Sequence, residues 1–141
     1  MVNEQATGEF DAAVDVMGFH MLVLDSDRKK YLSNVRAVLT AGAPMIFYKQ
    51  AHRTEMAKVF DDVIIESFEQ WLMLTGDDYN AKREMTIEGK TINTPFVPAR
   101  GRTKEGFIKE FTEAGFVVDD FKSMEMSKES PHAATIWVHK H

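Results

Sequence analysis

Residues 10–50 constrain the fold more than any other stretch, because they read in succession as strand, loop, helix, tight turn and strand. Residues 10–16 are a short, mostly apolar run with Asp15 near its end, and residues 17–25 are a loop that carries Gly18 and His20. Asp25 or Ser26 offers a side-chain cap for a helix. Its apolar residues Tyr31, Leu32, Val35, Val38 and Leu39 recur at three and four positions, which gathers them on one face. The helix is expected to stop at Ala41 and Gly42, where glycine tolerates a left-handed backbone. Pro44 cannot continue it, and Met45, Ile46, Phe47 and Tyr48 read as the next strand. Two strands joined by one helix over this length form a βαβ unit, with parallel strands and a right-handed crossover.

The rest of the chain supplies smaller pieces. Thr54 offers a cap for a long helix ended by Gly76, with Met56, Val59, Phe60, Val63, Ile64, Phe68, Trp71 and Leu72 as its apolar stripe. Residues 77–80 read as a turn. Residues 85–87 and 91–93 alternate about Glu88, Gly89 and Lys90, which predicts a small hairpin. After Pro95 and Pro98, Thr103 offers a cap for a short helix with Phe107, Ile108, Phe111 and Ala114 buried and Gly115 at its end. Residues 116–126 read as a long strand, Pro131 as a turn and residues 134–139 as a last strand, the two antiparallel.

Residues 9–49 and 100–139 resemble class I S-adenosylmethionine-dependent methyltransferases. The resemblance rests on Phe10-Asp11 before an apolar strand, on Asp15, and on the Gly18-Phe19-His20 loop. It continues through Asp27-Arg28 and Tyr31-Leu32 in the helix to the Gly42 turn and the apolar strand beyond. The family's lysine-proline-glycine-glycine turn is altered here to Thr40-Ala41-Gly42-Ala43. The likeness implies that the βαβ unit corresponds to the fourth strand, the following helix and the fifth strand. It also implies that Glu105 to Phe116, with Phe111, Glu113, Ala114, Gly115 and Phe116, belong to the last helix and its exit into an antiparallel strand pair. The implied fold class is α/β, half of a Rossmann-like sheet in a single domain over residues 1–141. Its variable insertion, at about residues 53–99, often builds the substrate lid in such enzymes.

The same comparison exposes a gap. A glycine-rich loop after the first strand cradles the cofactor in such folds, and a carboxylate after the second binds the ribose diol. Gly8, Gly18, Gly42 and Gly76 are scattered here, and Gly101 has Ala99 and Thr103 where a second glycine would stand. The chain is therefore expected to be the carboxyl-terminal half of such an enzyme. The outer edge of residues 10–16 then lacks a neighbour, and unpaired apolar edges attract strands. A homodimer, or a separately encoded amino-terminal half, is expected to cover it.

Composition narrows the partners. Hydrophobic residues are 44% and charged residues 28%, as in an ordinary globular domain, and a net charge of −5 with mixed signs offers no basic stripe for nucleic acid. There are no cysteines, which removes disulfide frameworks and thiolate zinc sites. The first ten residues lack the pattern of a signal peptide and no apolar run approaches membrane-spanning length, so a cytoplasmic protein is expected.

The resemblance implies candidate residues. Asp15, Val16 and Gly18 fall where the family meets its cofactor, S-adenosylmethionine. Asp15 and His20 follow the carboxyl end of a strand, where open α/β sheets bind ligands, so Asp15 is an orienting group and His20 a base or anchor. His20, Tyr48 and Trp71 are candidates for the small-molecule pocket. Each also has a purely structural reading: a loop hydrogen bond for Asp15, a loop side chain for His20, core packing for Tyr48 and Trp71. Lys49, Gln50, His52 and Arg53 share the ligand end of the next strand but read first as plain solvated loop residues. Arg100 and Arg102, ahead of a helix, are candidates for an anion or for a solvated loop. His132, His139 and His141 cluster near the end without a supporting carboxylate or cysteine at metal spacing. Three functions follow: a methyltransferase inactive without its other half, a non-catalytic dimeric binding or scaffold module of the same descent, or an unrelated α+β ligand-binding domain.

Overall fold

The computed structural model describes residues 7–53, 59–76, 80, 82–95, 97–125 and 132–141, with backbone alone at 59 and 60. Strands β1 (Ala13–Val16) and β2 (Pro44–Ala51) run parallel, with Asp15 opposite Phe47 and Val16 opposite Tyr48. Helix α1 (Asp25–Val38) connects them. The expected βαβ unit is present, and a fully antiparallel sheet is excluded. Strand β6 (Ala133–Lys140) lies antiparallel to β2, and β5 (Phe116–Met124) antiparallel to β6, so the sheet order is β1-β2-β6-β5. Helix α4 (Lys104–Glu113) precedes β5.

One face of this sheet makes the core. Leu32 and Val35 of α1 and Phe107 and Phe111 of α4 pack on Met45, Phe47, Ala134, Ile136 and Val138. Phe47 and Phe111 stack with ring centroids 4.4 Å apart. The alternation of a strand sends its other side chains to the opposite face. There Val14 and Val16 are 62% and 63% exposed, beside exposed Tyr48 and half-buried Ile46 and Trp137. Parallel strands are ordinarily covered on both faces. Among the described residues no helix or further sheet packs on Val14, Val16 and Tyr48, whereas Lys122 Nζ lies 5.3 Å over the Trp137 ring and Thr135 is buried; nothing pairs with the outer edge of β1.

Local structure departs from the sequence reading at four places. Regular pairing in the first strand covers only Ala13–Val16, and Phe10 makes a single bridge to Leu39. Neither Asp25 nor Ser26 caps α1: Leu24 is the cap residue, and the Asp25 carboxylate turns aside to accept the Ile65 N–H at 2.6 Å and an Arg100 N–H at 2.8 Å. Helix α1 ends at Val38. Gly42, at φ +72°, serves instead the turn closed by Ala43 N–H to Thr40 O.

The fourth departure is larger. The expected long helix is two short ones, α2 (Val59–Asp62) and α3 (Phe68–Thr75); its expected cap Thr54 and stripe residue Met56 lie outside the described residues. Between them the backbone bonds to tertiary partners instead of to itself. Val63 O accepts from Arg100, the Ile65 N–H and C=O both bond Asp25, and Ser67 caps α3 by accepting from Gln70 N–H. Three β-branched residues in a row, Val63, Ile64 and Ile65, weaken the helix at that point. Gly76 ends α3 at φ +71°, as expected.

The expected hairpin is β3 (Lys82–Ile87) and β4 (Lys90–Pro95), turned through Glu88 and Gly89 with positive φ at both. Thr103 caps α4 as expected, accepting from Gly106 N–H at 3.1 Å. The expected Met126 end of the long strand and the Pro131 turn lie outside the described residues.

Candidate functional site

The carboxyl end of β1 bends into a 3-10 turn over Phe19–Met21, and one carboxylate holds that bend. Asp15 Oδ1 accepts from Gly18 N–H at 3.0 Å, Phe19 N–H at 3.1 Å and Gln50 Nε2 at 2.7 Å, and Oδ2 accepts from the Tyr31 hydroxyl at 2.5 Å. Four donors meet this carboxylate, three of them sharing Oδ1, so that one lone pair of Oδ2 remains. Burial, and then this bond to Asp15, push the Tyr31 hydroxyl above its ordinary range, so it stays a donor. A Cβ at Gly18 would sit 3.0 Å from Asp15 Oδ2, a tight contact that the carboxylate would have to yield to.

His20 sits on the same network. Its N–H donates to Gln50 Oε1 at 3.0 Å, and its Nδ1 lies 3.1 Å from Gln50 Oε1 and 3.2 Å from Ala51 N. Nδ1 donates to the first in one tautomer and accepts from the second in the other. In both it is engaged within the protein, and Nε2 is the nitrogen left for a ligand. Burial lowers the His20 pKa, outweighing the Gln50 hydrogen bond and the Asp15 charge, so the ring is neutral near pH 7. The bulge at Lys49, with φ +52°, turns Gln50 inward beneath this bend. His52 follows at the end of β2. Its Nδ1 donates to Arg102 O at 3.1 Å, its ring edge meets Phe121, and burial again lowers its pKa.

The structure thus brings Asp15, Gly18 and His20 together and adds Gln50 and Tyr31. Val16 and Tyr48 pair beside them on the open sheet face, with Lys49 Nζ 5.1 Å over the tyrosine ring. Trp71 stands apart, buried with Val23 and Ile65. Tyr31 was hidden in the sequence because it lies on the apolar stripe of α1. Gln50 was hidden because strict alternation from Phe47 does not point it inward.

Arg100 and Arg102 neither hold an anion site nor line a solvated loop. Arg100 is fully buried, donating to Val23 O, Asp25 and Val63 O. Arg102 bonds Glu110 and Asp61 O, and Glu110 also takes a bidentate pair from Arg28 at 2.7 and 2.9 Å. The Asp61 carboxylate accepts from Thr103 N–H and hydroxyl, and so occupies the start of α4 itself. His139 pairs with Asp119 at 2.8 Å, and among the described residues no three metal-ligating side chains come together. No helix among them is long and apolar enough to cross a membrane.

No known family pattern matches the chain, and no curated protein matches it. Solved structures do. A S-adenosylmethionine-dependent methyltransferase from Methanosarcina mazei superposes with a TM-score of 0.63 at 14% identity, over 98% of this chain and 62% of that one. The 1,6-didemethyltoxoflavin N1-methyltransferase of Burkholderia thailandensis, solved with 1,6-didemethyltoxoflavin and S-adenosylhomocysteine, gives 0.61 at 14% identity, over 95% and 45%. The fold is a methyltransferase fold. The cyclase SpnF shares it, with a TM-score of 0.57 at 9% identity over 98% and 52%, so the fold alone does not fix the reaction. The chain spans less than two thirds of the length of each of these structures.

The residues present do not suffice for the cofactor. The described glycines with positive φ stand singly at turns and helix ends, and the Asp15 carboxylate is tied by four donors within the protein, one lone pair of Oδ2 remaining.

Proposed function

We propose that this chain is the carboxyl-terminal portion of a S-adenosylmethionine-dependent small-molecule methyltransferase, inactive until a nucleotide-cradling half is supplied. The observation that carries the reading is the sheet order β1-β2-β6-β5 with β1 parallel to β2 and unpaired on its outer edge. The Asp15–His20 bend lies at the carboxyl end of that edge strand, which is where open sheets of this kind take ligands. In this reading Asp15 is a positioning residue that fixes the loop. Neutral His20 presents Nε2 to the acceptor as an anchor or as the holder of its proton. Tyr48 and Val16 give an apolar wall. Methyl transfer depends mainly on holding the reactants in line, so a fixed loop is the contribution expected of these residues.

Calorimetry with S-adenosylhomocysteine tests this on the chain alone and on a fusion placing the glycine-loop half of the Methanosarcina mazei methyltransferase ahead of residue 8. No heat from the chain alone and saturable binding by the folded fusion are expected. Binding by the chain alone, or none by a folded fusion, refutes the proposal. A non-catalytic module is the second reading, favoured by the four hydrogen bonds that tie the Asp15 carboxylate inside the protein.

A further inference from the structure

Two apolar faces in this molecule have no helix or further sheet packed on them among the described residues, and they match. The first is the open sheet face: Val14, Val16, Ile46, Tyr48 and Trp137 form its apolar band. The second belongs to the hairpin. Every residue of β3 is exposed, and so is every residue of β4 except Thr94. The pairings Arg83–Thr94, Met85–Ile92 and Ile87–Lys90 place six side chains on one side. That side is an apolar centre, with Met85, Ile87 and Ile92 at 40%, 51% and 43% exposure, flanked by Arg83 and Lys90. The other side, with Lys82, Glu84, Thr86, Thr91, Asn93 and Pro95, is polar. A lone two-stranded hairpin is marginal in water, so an amphipathic one standing free calls for a surface to lie on.

We propose that the hairpin is an exchanged arm: in a two-fold dimer its Met85, Ile87, Ile92 side lies on the open sheet face of a second copy, and the second copy's arm does the reverse. The charges agree. The arm brings Arg83 and Lys90. The open face carries Asp119, bonded to His139, and Asp120, whose one lysine partner is Lys122 at 3.8 Å, with Lys49 above Tyr48 on the far side. Glu9 and Asp11 are exposed just ahead of β1. The two carboxylates on β5 thus face two cations on the arm, beside Lys122, whose Nζ lies 5.3 Å over the Trp137 ring, and Lys49. The sizes agree as well. A six-residue hairpin is about 20 Å long and about 10 Å across with its side chains, enough to span β1, β2 and β6 at their ~4.8 Å spacing. Exchange by two copies closes the assembly, since each face is used once. The proposal stands independently of the methyltransferase reading.

Sedimentation equilibrium on the full chain tests this with two variants, both changed at exposed positions. The arm variant is Met85→Asp with Ile87→Asp, and the face variant is Val14→Lys with Val16→Lys. The wild type is expected to be a dimer, and each variant a monomer with its dissociation constant raised on the order of a hundredfold, as for the loss of interface hot spots. Circular dichroism melting at dilution confirms that each variant is folded. An equimolar mixture of the two is expected to re-form dimers, because one arm and one face remain intact and compatible. A monomeric wild type overturns the proposal. So does an arm variant that stays dimeric, which would place the contact on the β1 edge itself, and so does a mixture of folded variants that stays monomeric.

Discussion

Asp15→Ala removes an acceptor that serves four donors at once, and its cost follows from where they lie. The bonds from Phe19 N–H and Gln50 Nε2 are buried, whereas those from Gly18 N–H and the Tyr31 hydroxyl are only partly so. A buried donor left without a partner costs about 1–3 kcal/mol, and one that water reaches costs much less. Two buried donors at about 2 kcal/mol each give a loss of about 4 kcal/mol, a large share of the roughly 5–15 kcal/mol that holds a domain together. Urea unfolding followed by circular dichroism reads this directly. With a slope of about 2 kcal/mol per molar, the midpoint should fall by about 2 M. Tyr31→Phe, which removes one partly buried donor and leaves the carboxylate with three, should cost about 1 kcal/mol. A folded Asp15→Ala protein within about 1 kcal/mol of the wild type would falsify the claim that this carboxylate fastens the loop.

Other expectations follow from the same geometry. His20 and His52 both have folded-state pKa values below the ordinary 6.5, so the stability tied to their neutral rings is present above that value and is lost as pH falls below it. Unfolding titrations from pH 7.5 to 5 should show declining stability, with a shallower decline in His20→Gln; equal slopes would contradict the assignment. Arg100→Met takes the ion-pair partner from the Asp25 carboxylate, which is only 19% exposed, and strands Val23 O and Val63 O, so a loss of about 3 kcal/mol is expected, with hydrogen exchange quickening around Ile65. Exchange rates there that match the wild type would show that the arginine does not hold this segment. Gly115→Ala meets both a φ of +88° and the Arg36 side chain, which its Cβ would strike. A loss of at least about 1 kcal/mol in thermal or urea unfolding is expected, and a neutral substitution would contradict it.

The βαβ unit was legible because its information is local. The three-and-four spacing of Leu32, Val35 and Val38, a turn glycine and a β-rich run each act over a few residues. The hairpin turn and the Thr103 cap were legible for the same reason. The broken helix was not, because its apolar spacing is genuinely helical; the break is set by Asp25 and Arg100, which are distant in sequence and compete for its backbone groups. The anion-site reading of Arg100 and Arg102 failed for a related reason, since the sequence does not show that Asp25, Asp61 and Glu110 converge on them. At the site, Asp15, Gly18 and His20 were visible as a loop pattern. Gln50 and Tyr31 complete it through a bulge and a helix face that no spacing rule discloses.

The open flank of the sheet is the central claim, and amide hydrogen exchange along β1 tests it most directly. Met17 N–H donates to Tyr48 O, so in a parallel ladder the Asp15 amide also faces β2 while those of Val14 and Val16 point away. The account predicts slow exchange at Asp15 and Met17 and fast exchange at Val14 and Val16 in the isolated chain. Protection at Val14 and Val16 equal to that at Asp15 would mean that another strand already lies against this edge.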